Sequence, residues 1–116
     1  MNDPSSAEVQ AAIADELIKV HQDSYGTGGR IKVDVLDDSI VAVIDVELTP
    51  AERTLLEAGQ TDAVKVTREA FQQAIAPTFR AIVERSTGRE VVSFLSIMSI
   101  EPLYSVEFFR LAPEAG

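Results

Sequence analysis

Hydrophobic positions along the chain change period several times, and each change marks an element. Val9, Ile13, Leu17 and Val20 recur at helical spacing, the signature of one apolar stripe on an α-helix. That helix is predicted over Ser6–Asp23, with Ser5 or Ser6 as its cap, Glu8 in its first turn and Tyr25-Gly26-Thr27-Gly28-Gly29 ending it. From Arg30 to Leu36 the period drops to two, with Ile31, Val33 and Val35 opposite Lys32, Asp34 and Leu36. Asp37-Asp38-Ser39 is turn chemistry. Ile40–Glu47 then alternates again, Ile40, Ala42, Ile44 and Val46 against Val41, Val43, Asp45 and Glu47. The two runs predict a β-hairpin.

Thr49-Pro50-Ala51-Glu52 opens a short second helix, with Thr49 as N-cap, Pro50 at the first helical position and Glu52 completing a capping box. Gly59 interrupts it. A long third helix is predicted over Asp62–Thr87, capped by Gly88. Pro77 lies inside it, and a proline there removes a backbone donor and crowds the preceding turn, so a kink is expected near Gln73–Pro77. Val64, Phe71, Ile75, Phe79 and Ile82 form its core stripe. A second line of Ala63, Ala70, Ala74 and Ala81 would let another helix approach closely. Two strands close the chain, Glu90–Ile100 and Leu103–Leu111, joined at Glu101-Pro102. Residues 112–116 are expected to fray.

The order α-β-β-α-α-β-β predicts an α+β fold, a four-stranded mainly antiparallel sheet with helices on one face. At 116 residues this is a single domain, 1–116. The strands are apolar on both sides, and helices on one face cannot cover both. The uncovered side, with Val41, Val43, Leu95, Ile97 and Phe109 as candidate contacts, predicts a partner, most simply a homodimer.

Composition narrows the chemistry. The chain has no Cys and a single His, His21. Thiol nucleophiles and cysteine–zinc sites are excluded, and a catalytic triad would have to use His21. A lone His at the edge of an apolar stripe reads as a surface or boundary residue. Nucleophile, base and orienting group are not assembled anywhere in the sequence, so no catalytic residue is assigned and a non-enzymatic protein is expected. Nineteen acidic and ten basic residues give a net charge of −9. Residues 1–58 carry −8 of it and residues 59–116 carry −1. Such a chain is repelled by phosphate backbones, and Lys65, Arg68, Arg80, Arg85 and Arg89 make no basic stripe, so nucleic acid is not an expected partner. Asp34, Asp37, Asp38, Asp45 and Glu47 read as a solvated acidic face rather than a metal site, and no metal or cofactor is expected. Arg68 falls within the apolar stripe of the long helix and needs a carboxylate, for which Asp45 and Glu47 are the candidates. That trio is the candidate anion or ligand site. The start of the chain lacks a signal-peptide pattern. Its longest mostly apolar run, Ile40–Val46, is too short to span a bilayer. A cytoplasmic location is expected, with no direct lipid binding in the absence of a basic amphipathic helix.

An ordered set of short motifs resembles a family. Tyr25-Gly26-Thr27-Gly28 precedes the first strand, and Leu48-Thr49-Pro50-Ala51-Glu52 follows the hairpin. The long helix carries Arg68-Glu69, Ala76-Pro77 and Glu84-Arg85-Ser86-Thr87-Gly88-Arg89-Glu90-Val91. Together these are similar to the MpsC-like family of small bacterial proteins, over about Glu8–Leu111. The chain departs from the family pattern at Gly28-Gly29, where Gly-Pro is frequent, and at Ile97-Met98-Ser99-Ile100-Glu101-Pro102-Leu103, where polar or acidic residues are usual. The resemblance implies an accessory or regulatory protein of a sodium- or bicarbonate-linked membrane transport system, reaching the membrane through a partner. A dimeric sensor of a small anion or nucleotide, with Arg68 near the ligand, is the alternative.

Overall fold

Two helices pack against a four-stranded antiparallel sheet and a short one packs on the longer of them in the computed structural model, which describes residues 6–114. The elements are α1 (Ala7–Tyr25), β1 (Gly29–Leu36), β2 (Ser39–Val46), α2 (Pro50–Glu57), α3 (Thr61–Thr87), β3 (Val91–Ser99) and β4 (Tyr104–Leu111). The predicted order holds, with ends displaced by one or two residues.

Local chemistry sets these ends. Ser6 accepts a hydrogen bond from the Val9 amide at 3.2 Å and caps α1, satisfying one of the free donors of its first turn. Gly26 and Gly88 close α1 and α3 in the left-handed conformation, at φ 71° and 70°, where a side chain would be strained. α3 runs unbroken through Pro77.

The sheet order is β1-β2-β4-β3, so β2 and β4 pair centrally and join the two hairpins. Register sets the faces. Ile31, Val33 and Val35 pair with Ile44, Ala42 and Ile40 on the inner side, and Ile40 in turn pairs with Phe109. There they meet Ile13 and Leu17 of α1 and Phe79, Ile82 and Val83 of α3. Fully buried Phe79 and Phe109 are the largest core side chains, and Phe94 packs between them with ring centroids 6.3 and 4.9 Å away.

Two expectations are corrected here. Phe109 is not on the uncovered face: the alternation that turns Phe108 outward turns Phe109 into the core. Leu95 and Ile97 do face out, as expected, and a β-bulge between Val91 and Ser93 lets Val91 share the inner side with Phe94. Of the alanine line, Ala70, Ala74 and Ala81 are exposed and Ala63 is half-buried, so it is not a packed seam. Of the tail, Ala112 is held by its amide on the Glu90 carbonyl and by Arg89 on its own carbonyl. Residues 115 and 116 lie outside the described residues.

The face assignment gives a direct test. Phe109→Ala should cost about 3–5 kcal/mol, the usual penalty for emptying a large aromatic site in a core. Phe108→Ala, on the half-buried outer side, should cost well under half of that in the same urea titration.

Candidate functional site

Beyond the apolar core, the space between α1, α3 and the inner side of β3 and β4 becomes polar. A pocket of about 460 Å³ opens there, lined by His21 and Tyr25 of α1, by Arg68, Gln72 and Arg80 among others on α3, and by Phe94, Ser96, Met98 and Ser105 of the sheet. Spacing along α3 sends Arg68, Gln72 and Ala76 toward the sheet at one-turn intervals. Strand alternation sends Ser96 and Met98, and Ser105 and Glu107, to the same inner side that Phe94 and Phe109 occupy further along.

The Arg68 side chain is buried at 3% exposure and held by Glu52, the Glu47 carbonyl and Tyr25. Its Nε donates to Glu52 Oε2 at 2.6 Å and its Nη2 to Glu52 Oε1 at 2.7 Å, a two-pronged ion pair. Nη2 also donates to the Glu47 carbonyl at 3.2 Å. The guanidinium carbon sits 4.0 Å from the centre of the Tyr25 ring, a cation–π contact. Glu52 is oriented by the capping box: its Oε1 accepts the Thr49 amide at 2.9 Å, and Thr49 Oγ1 accepts the Glu52 amide at 3.1 Å. Burial alone would raise the Glu52 pKa, but the hydrogen bonds from Arg68 and from the Thr49 backbone outweigh it and hold the carboxyl below its ordinary value.

The expected carboxylates for Arg68 are thus replaced by Glu52. Asp45 and Glu47 leave β2 on the phase that faces away from α3. Asp45 instead lies 3.8 Å from Arg30 in an exposed pair, and Glu47 contributes only its main-chain carbonyl. Nor does the acidic cluster converge: Asp38 is taken by Arg89 at 2.7 Å. Among the described residues, no group of three His, Asp or Glu side chains is placed to hold a metal ion.

A second chain of contacts runs from Tyr25 into the sheet. Its hydroxyl donates to Gln72 Oε1 at 3.0 Å. Gln72 Nε2 donates to Glu107 Oε1 at 2.7 Å and to Ser96 Oγ at 2.8 Å. Glu107 is fully buried, and burial pushes its pKa up to about 7 against the opposing pull of the Ser96 and Ser105 hydroxyls. Its Oε2 has no hydrogen-bond partner, and neither does Nε2 of His21. His21 is buried, not a boundary residue; burial and then the Arg68 charge lower its pKa to about 4, so it is neutral at physiological pH. Burial likewise raises Tyr25 to about 12 and keeps it a hydrogen-bond donor.

Sequence reasoning singled out Arg68 as a charge in the apolar stripe that needs a carboxylate, but missed Glu52 as that carboxylate and Gln72, Ser96, Ser105 and Glu107 as a group. A signal existed. In β4 the positions in phase with Phe109 and Leu111 are Ser105 and Glu107, polar residues on an inward face. What this arrangement can do is bind. It offers apolar walls from Val46, Ala76, Phe94 and Met98, a hydrogen-bonding floor, and one arginine at its lining, Arg80, that makes no ion pair among the described residues.

His21 and Glu107 pull stability in opposite directions with pH. The lowered His21 pKa means that the unfolded chain binds the extra proton between about 4 and 6.5, so this group adds stability as pH rises through that window. The raised Glu107 pKa means that the folded chain binds it between 4.5 and about 7, so this group removes stability as pH rises. Relative to wild type, Glu107→Gln should gain stability as pH goes from 5 to 6.5 and His21→Gln should lose it. Each trend is bounded at about 1.4 kcal/mol per pH unit, one proton's worth. Urea midpoints at the two pH values check both signs.

Comparison with known proteins follows the same outline. Residues 5–112 match the family model described as "Na+-translocating membrane potential-generating system (MpsC)". Nearly the whole chain is covered, and the protein belongs to that family. No curated protein and no solved structure matches it.

Proposed function

We propose that this MpsC-family protein is a non-enzymatic accessory or regulatory component of a sodium- or bicarbonate-linked membrane transport system, and that it works through protein contact. The observation that carries this reading is the outer face of the sheet. Val41, Val43, Val106, Phe108, Leu95 and Ile97 occupy adjacent positions across three strands there, with Leu95 and Ile97 62% and 68% exposed. A contiguous apolar face of this kind marks a protein interface. The family description supplies the transport connection. None of the described helices is long and apolar enough to cross a membrane, so in this reading a protein partner holds the chain at the membrane and its place is cytoplasmic. Pull-down of the tagged protein from gently solubilised native membranes should enrich an identified transporter subunit over a tagged control. Recovery of the protein alone would remove the transport role.

The pocket supports a second reading, a sensor of a small anion or nucleotide. Arg68 is an unsuitable anchor, since Glu52, the Glu47 carbonyl and Tyr25 already occupy its guanidinium. Arg80 is the available cation. Phosphate, bicarbonate or a nucleotide should then raise the melting temperature, and Arg80→Ala should abolish the rise. No shift with any of the three would eliminate this reading.

A further inference from the structure

The apolar outer face has a register that identifies its own occupant. Two cross-strand rows fill its middle. One reads Lys32, Val43, Val106, Ile97 across β1, β2, β4 and β3; the next reads Asp34, Val41, Phe108, Leu95. Each row begins with a charge on the edge strand β1 and continues through three apolar residues. The two charges are opposite. Both are exposed and neither is in an ion pair among the described residues.

We infer that a second copy of this chain covers the face, related by a two-fold axis that lies between the two sheets, perpendicular to the strands, and passes between these two rows. Such an axis sets each strand over its own counterpart and exchanges the rows. Lys32 then faces Asp34 of the second copy, and Asp34 faces its Lys32. Val41 meets Val43, Phe108 meets Val106, and Leu95 meets Ile97. Apolar residues are opposed by apolar residues throughout, and like charges never meet. The flanking rows keep like charges apart, although on β1 they set Arg30 over Leu36. Arg30, Asp45, Tyr104 and Ser99 lie at one end of the face and Leu36, Ser39, Arg110 and Ser93 at the other. Exchanged, they bring Arg110 over the Tyr104 ring and beside Asp45. A self-complementary patch of this kind is what a two-fold interface requires.

Size agrees. Strands of eight or nine residues make a four-stranded face about 19 Å wide and 27 Å long, so stacking two faces at about 10 Å removes on the order of 1,000 Å². That reaches the threshold of a specific interface. The aligned stacking of two twisted sheets is a standard packing mode. This inference takes the same outer face and gives it to a second copy, so a transporter subunit would meet the dimer elsewhere; a protein with the mass of one chain overturns the dimer and leaves the face free for the partner proposed above.

Charge reversal tests it. Wild type should sediment as a dimer at tens of micromolar. Lys32→Asp would oppose two carboxylates at both ends of the exchanged pair, the new one against Asp34 of the second copy. Asp34→Lys would oppose two ammonium groups in the same places. Each single variant should weaken self-association about tenfold or more. An equimolar mixture of the two should recover a dimer, because every opposed pair is again a carboxylate with an ammonium group. The double variant Lys32→Asp/Asp34→Lys should self-associate like wild type. Leu95→Asp should give a folded monomer, since that side chain is exposed in the single chain. A wild-type protein with the mass of one chain overturns the proposal. So does a dimer indifferent to the single reversals, or a mixture that fails to associate.

Discussion

The ion pair between Arg68 and Glu52 is the constraint around which the polar half of the molecule is organised. A buried guanidinium demands a carboxylate of good geometry, because leaving either charge alone in the interior costs several kcal/mol. The demand is met across α2 and α3, by a glutamate that the Thr49 capping box has already oriented. One residue therefore caps a helix, neutralises a buried cation and anchors the strand end through Arg68 and the Glu47 carbonyl. Tyr25 lies against the same guanidinium and hands its hydroxyl to Gln72, so the end of α1 is located by the pair as well.

This arrangement explains why the pocket carries so little net charge. Arg68 is neutralised by Glu52, His21 is held neutral by burial, and Glu107 sits near the midpoint of its titration at neutral pH. Polar groups thus line a partly apolar hollow without a strong field. At the lining, Arg80 and Glu69 add one charge of each sign. The protein's large negative charge is spread elsewhere, over the exposed faces of α1 and the first hairpin.

Much of the architecture was legible in the sequence because short-range rules govern it. The Thr49-Pro50-Ala51-Glu52 cap, the Gly26 and Gly88 stops, and the period-two strands each depend on neighbours within a few residues. The strand order was not legible: nothing local states that β2 pairs with β4. The bulge after Val91 was invisible for a similar reason, and it put Val91 on the same side as Phe94, opposite Leu95 and Ile97. Phe109 was misplaced because its face of β4 carries Ser105 and Glu107 while the opposite face carries Val106 and Phe108, so the more apolar face is the one that turns outward. In the site, Arg68 stood out as a charge in an apolar stripe. Its partner did not, because Glu52 is drawn to it by the packing of α2 on α3, and the serine and glutamate positions of the sheet gain meaning only once β3 and β4 lie side by side.

The central β2–β4 pairing has one more consequence. Residues before Gly59 supply one hairpin, α1 and Glu52; residues after it supply the other hairpin, α3 and Arg68. Each half ends its hairpin in an open edge that only the other half completes, and each holds one member of the buried ion pair. Gly59 itself is exposed, at φ 76°, in the short link between α2 and α3. The molecule is thus organised as two interlocking fragments joined by a short exposed turn. Severed there, the pieces retain every element of mutual recognition, which makes the fold a natural template for a split reporter.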